Sequence, residues 1–153
     1  MKKKFLAASL ALAFGAGSGY VMNSFAQAKP EQLVKQRQSA MTLIGKYWGP
    51  TNAMATGKAP YDAAAAQRNA GFLQALAQMP WDGFAENTKD SPEKNRALPA
   101  IWAEPAKFKE AADRLQNTTA KLAASAKDEA AFKAAAGEVG KACGACHENF
   151  RAK

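Results

Sequence analysis

Apolar residues recur with a helical period in four separate stretches of this chain. From Pro30, at 100° per residue, Leu33, Val34, Ala40, Met41, Ile44, Tyr47 and Trp48 fall within an arc of about 140°. Pro30 suits a first turn, Glu31 complements the helix dipole there, and Gly49-Pro50 predicts the end. A second stripe, Ala66, Ala70, Leu73, Leu76 and Ala77, follows "KAPYD", where Asp62 is placed to cap a helix running to about Met79. A third spans roughly 104–126, with Phe108, Ala111, Ala112, Leu115, Thr119 and Leu122 on one side. A fourth begins near Asp128 and runs almost to the last residue. Between the second and third, a loop from Pro80 to about Pro99 carries Trp81 and Phe84 as apolar plugs among polar residues. No alternating β pattern competes. Four amphipathic helices with mostly short connections predict an all-α fold, an antiparallel four-helix bundle.

Ahead of the first stripe, Lys2, Lys3 and Lys4 precede the apolar run "FLAASLALAFGAG", and small residues follow at Ala26 and Ala28. This is the layout of a cleaved signal peptide over residues 1–26, with Ala28 as an alternative site. Glycines at 15, 17 and 19 break the run too early for a membrane anchor. The expected product is a periplasmic domain over residues 27–153, with no membrane attachment after cleavage. Losing the three leader lysines lowers the formal charge from +8 to +5. The remaining basic residues are interspersed with acids rather than blocked, so a nucleic-acid partner is not expected.

The chemistry concentrates in "KACGACHENF". Both cysteines of the chain, Cys143 and Cys146, and its one histidine, His147, stand together there. With Phe132, Ala135, Ala136, Val139 and Phe150 they share an arc of about 120°, so both thiols and the imidazole are expected in the buried stripe. A disulfide is the ordinary fate of two cysteines in an exported chain. A redox Cys-x-x-Cys belongs at a helix start in a βαβ setting, and a structural zinc site wants four ligands. Cys-x-x-Cys-His at a helix end is instead the attachment pattern for haem c. Thiols three apart lie on one face and each can join a vinyl group, while the next residue swings its imidazole under the iron. One motif predicts one covalent haem.

The first helix holds an anomaly. Arg37 sits at the centre of its apolar arc, where a guanidinium is costly unless paired. A haem propionate is the favoured partner; an acid from another helix, or a snorkelled side chain, would also serve. Met41, one turn on, shares that face. It is either a flexible core filler or a group facing the distal side of the iron, whose sixth ligand is then Met, water or nothing.

Together with "AKPEQLVKQRQSAM", "KAPYDAAAAQ", "MPWDGF" and "AIWAEPAKFK", the C-terminal motif resembles cytochrome c′, the class II c-type cytochromes, over essentially the whole chain from Lys29. That resemblance implies a homodimeric bundle with a five-coordinate, high-spin haem that binds nitric oxide and carbon monoxide, discriminates against oxygen and serves nitric oxide tolerance. It implies Cys143 and Cys146 as the haem bonds and His147 as the axial iron ligand. It places Arg37 and Gln38 beside the propionates, Met41 distally, Trp81 and Phe84 in the pocket lining and Arg151 in a proximal pocket. The same class contains low-spin members with His/Met ligation that carry electrons, so His147 with Met41 as sixth ligand is the competing reading. Its redox partner is not specified by the sequence. No distal acid–base pair is visible, so catalytic turnover is not expected.

Overall fold

The computed structural model describes residues 28–153; the leader expected at 1–26 lies outside them. Among the described residues are five α-helices: α1 Pro30–Ala55, α2 Ala63–Leu76, α3 Ala100–Ala103, α4 Pro105–Ser125 and α5 Glu129–Phe150. The four long ones pack in a closed cycle, α1 on α2, α2 on α4, α4 on α5 and α5 back on α1, which is a four-helix bundle. No described helix is long and apolar enough to cross a membrane.

Local chemistry accounts for most boundaries. Pro30 opens α1 with Glu31 in its first turn. Asp62 caps α2 by accepting from the Ala65 N–H at 2.6 Å, and Asp128 does the same for Ala131 at 2.7 Å at the start of α5. The small helix α3 was not foreseen in the loop reading, and α2 ends at Leu76, with a turn covering the last residues expected in it.

One boundary departs from expectation. Gly49-Pro50 does not end α1, which continues through Pro50 to Ala55. A proline inside a helix costs about 3 kcal/mol through the lost N–H bond and the clash with the preceding turn. Opposing it, Thr51 is fully buried and returns a hydroxyl bond to the Tyr47 carbonyl at 2.8 Å, while Met54 is only 5% exposed in the core. Burying a side chain such as Met54 contributes about 1.5–3 kcal/mol, so core packing offsets the proline. The helix stops where Gly57 takes a left-handed φ of +74°.

The core fills one end of the bundle. Ile44 and Met54 of α1 meet Leu73 and Leu76 of α2, Leu115 and Leu122 of α4, and Phe132, Ala136 and Val139 of α5. Towards the other end the middle turns of α1, the first half of α4 and the last turns of α5 surround a cavity, walled by the segment between α2 and α4.

Candidate functional site

That cavity measures about 970 Å³ and lies at the upper end of the range for small-molecule sites. Arg37, Gln38, Met41, Trp81, Phe84, Cys143, Cys146, His147 and Arg151 all line it. The nine positions singled out in the sequence are thus brought to one place by three separate segments.

The inward arc of α5 is less covered than expected in its last turns. Ala142 and Phe150 are the buried residues of its last turns, Cys143 and Cys146 are half-buried, and His147 is exposed at the cavity edge. The reason is positional: these turns border the cavity rather than a packed neighbour, so the inward arc is only partly covered. Burial still acts on the three groups. It raises the pKa of both thiols, and the neighbouring Cys146 adds to the effect on Cys143, so they remain protonated at neutral pH. The imidazole is held below its ordinary pKa by burial and then by the Arg96 guanidinium, which favours the neutral form that coordinates metals.

Arg37 is 3% exposed and its charge is held by neutral acceptors. Its Nη1 donates to the Gly83 carbonyl at 2.5 Å and to Thr88 Oγ1 at 3.1 Å, and its Nη2 donates to Asn95 Oδ1 at 3.1 Å. The Phe84 ring lies 4.5 Å from the guanidinium carbon. Neither an acid from another helix nor snorkelling accounts for it, and its burial is supported without an anion. Gly83 makes this possible: a Cβ there would stand 2.5 Å from Arg37 Cβ and 2.8 Å from the Leu33 carbonyl. Gln38 Nε2 donates to the Lys94 carbonyl at 2.9 Å. Met41, half-buried one turn along, faces the cavity.

Aromatic rings form one flank. Phe108 stands edge-on to Trp81, Phe84 and Phe150 at centroid distances of 5.9, 4.9 and 5.3 Å. Trp81 donates to the Ala77 carbonyl at 2.7 Å and Trp102 to the Phe84 carbonyl at 3.0 Å, so two indoles brace the loop.

The sequence reading missed Lys94, Asn95 and Arg96, which also line the cavity. They carry no periodic or motif signal and look like an ordinary solvated loop. Their placement depends on tertiary contacts: Ala97 pairs with Arg151 in an antiparallel bridge just after α5 ends. Cationic Arg37, Lys94, Arg96 and Arg151 line the cavity, and no Asp or Glu does.

The donor set suits haem c: two thiols one helical turn apart, an adjacent imidazole, an aromatic flank and cations for carboxylates. A four-helix bundle with Cys-x-x-Cys-His on its last helix defines a class II c-type cytochrome that binds haem covalently. The family model for cytochrome c′ matches residues 32–151, and the chain belongs to that family. It is similar to cytochrome c′ of Rubrivivax gelatinosus, 42% identical over 127 residues that cover 82% of this chain and 98% of the relative. The crystal structure of cytochrome c′ from Rubrivivax gelatinosus superposes with a TM-score of 0.78, covering 81% of this chain and 98% of that one at 42% identity. A nitric oxide complex of a variant cytochrome c prime from Alcaligenes xylosoxidans superposes at 0.74, with 41% identity and coverage of 82% and 98%.

Proposed function

We propose that this protein is a periplasmic, non-catalytic haem protein that binds nitric oxide and carbon monoxide, with His147 as the axial ligand and Met41 unligated on the distal side. The observation that carries the reading is the single cavity that has Met41 of α1 and Cys143, Cys146 and His147 of α5 in its walls. Haem supplies there an iron able to take a diatomic ligand. The rest belongs to the chain. Cys143 and Cys146 would hold the group by two thioethers, and His147, kept neutral, would ligate it. Arg37 has a second Nη2 hydrogen to offer a propionate, and the Gln38 side chain stands beside it. Trp81, Phe84 and Phe108 exclude water from one flank.

Met41 decides the competition between ligands. Its thioether carries no N–H or O–H, so an incoming oxygen molecule finds no donor from it, whereas binding of nitric oxide or carbon monoxide needs only space. The nitric oxide complex of the similar Alcaligenes protein supports the ligand class. Arg151 and Arg96 line the same cavity as His147, which supports a place for Arg151 beside the proximal pocket. The low-spin reading, electron transfer with Met41 as sixth ligand, is favoured by the position of Met41 on the wall and by the cationic lining, which suits an acidic redox partner.

Export is supported by the leader layout and by the family match beginning at Gln32, beyond it. A homodimer is supported by the outer face of α1 and α2, where Leu43 and Phe72 are 43% and 44% exposed and Tyr47 stacks on Phe72 at 4.6 Å.

The test is Met41→Ala in the haem-loaded protein. If Met41 crowds an open site, carbon monoxide association accelerates by at least about tenfold, the equivalent of ~1.4 kcal/mol of barrier. An unchanged rate contradicts steric gating, and a change from low-spin to high-spin bands on substitution assigns Met41 to the iron.

A further inference from the structure

Residues 93–98 cross from α1 to the end of α5 along one wall of the cavity. On the α1 side, Lys35 pairs with Glu93 at 2.9 Å, Gln38 donates to the Lys94 carbonyl at 2.9 Å and Arg37 donates to Asn95 Oδ1 at 3.1 Å. On the α5 side, the Leu98 N–H donates to the Phe150 carbonyl at 3.1 Å, the Ala152 N–H donates to the Arg96 carbonyl at 2.8 Å, and Ala97 bridges Arg151.

We propose that this strap, through Asn95, sets the clearance between the helices bearing Met41 and His147 and thereby regulates the entry of a diatomic ligand. The proposal rests on the gas-binding reading above. Asn95 is the hub because one oxygen serves both sides. Its Oδ1 accepts from Arg37 and from the Ala97 N–H at 3.0 Å, and its Nδ2 donates to the Glu93 carbonyl at 2.8 Å. Arg37 lies one turn before Met41, and Arg151, the partner of Ala97, lies one turn after His147. The strap therefore joins points one turn away from each face.

The other α1 contacts are weaker restraints. Lys35 is 66% exposed in its pair with Glu93, and such surface pairs contribute little. The Gln38 bond is also exposed. The Asn95 bonds are part-buried and one has a charged donor, the arrangement that contributes most. At the far end of the cavity, α1 and α5 touch directly: a Cβ on Gly140 would meet the Trp48 ring at 3.5 Å. Their spacing is thus held there by direct packing, and Asn95 links the two helices nearer Arg37 and Arg151.

The experiment compares haem-loaded wild type with Asn95→Ala, Asn95→Asp and Thr88→Val. Thr88 accepts from the same guanidinium at 3.1 Å but has no link to the C-terminal tail, so it controls for loosening Arg37 alone. Two quantities are read: carbon monoxide association to the ferrous protein, and the iron–imidazole stretching band of the unliganded ferrous protein. Asn95→Ala is expected to speed association by about five- to tenfold, the consequence of losing one or two such bonds, and to shift the band. Asn95→Asp keeps the acceptor oxygen and restores both, and Thr88→Val leaves both near wild type. If Asn95→Ala does not load haem, Asn95→Ser, too short to reach both donors, replaces it. Unchanged rate and band in Asn95→Ala, or equal changes in Thr88→Val, overturn the strap while the gas-binding reading stands. A wild type that loads haem but takes up no carbon monoxide overturns that reading and the gating role with it.

Discussion

Arg37 shows how an apolar helix face can hold a charge. Removing its partners leaves a charge stranded in a site that is 3% exposed, whereas its three acceptors and the Phe84 ring hold it at modest net gain. The arrangement depends on a hydrogen atom where any other residue has a Cβ. Gly83→Ala must displace either the loop or α1, and we expect a loss of about 1–3 kcal/mol from overpacking, read from the urea midpoint of the haem-loaded protein. An unchanged midpoint would mean that loop and helix separate freely and that Arg37 does not fasten them. The anomaly of an arginine inside an apolar arc was legible from the sequence. Its solution was not, because Gly83, Thr88 and Asn95 lie 46, 51 and 58 positions away and no local pattern connects them to it.

Among the elements, those with their own chemistry were readable and those defined by packing were not. Asp62 and Asp128 mark helix starts because a carboxylate can satisfy an orphan N–H within one turn. The end of α1 was misread because a Gly-Pro pair carries a local signal that Thr51 and Met54 override only once the core assembles around them. Pro50→Ala should therefore add about 1–3 kcal/mol by restoring a helical N–H, seen as a raised thermal midpoint with unchanged helicity. A lowered midpoint would show that the proline turn is needed for Met54 to reach the core. The cover over the α5 stripe was not readable for a related reason: periodicity reports which way a residue points, and whether a packed helix or a cavity lies there is decided by the other three. Cys143, Cys146 and His147 do share one face, as their spacing requires.

For the whole molecule, the bundle is solid at one end and carries its chemistry at the other, with the segment between α2 and α4 as the wall. The outer face of α1 and α2 leaves Leu43 and Phe72 in solvent. If it is the homodimer seam, Phe72→Glu gives a monomer in sedimentation equilibrium with the haem spectrum intact; a dimer that persists unchanged places the seam elsewhere. In the proposed site His147 ligates haem while Met41 stands opposite without binding it. The optical spectrum of the purified protein, ferric and dithionite-reduced, with and without nitric oxide, tests this arrangement directly. A high-spin ferrous spectrum with one broad visible band that converts on adding nitric oxide is expected. Sharp, split low-spin bands that resist the gas would contradict it and make Met41 the sixth ligand of an electron carrier.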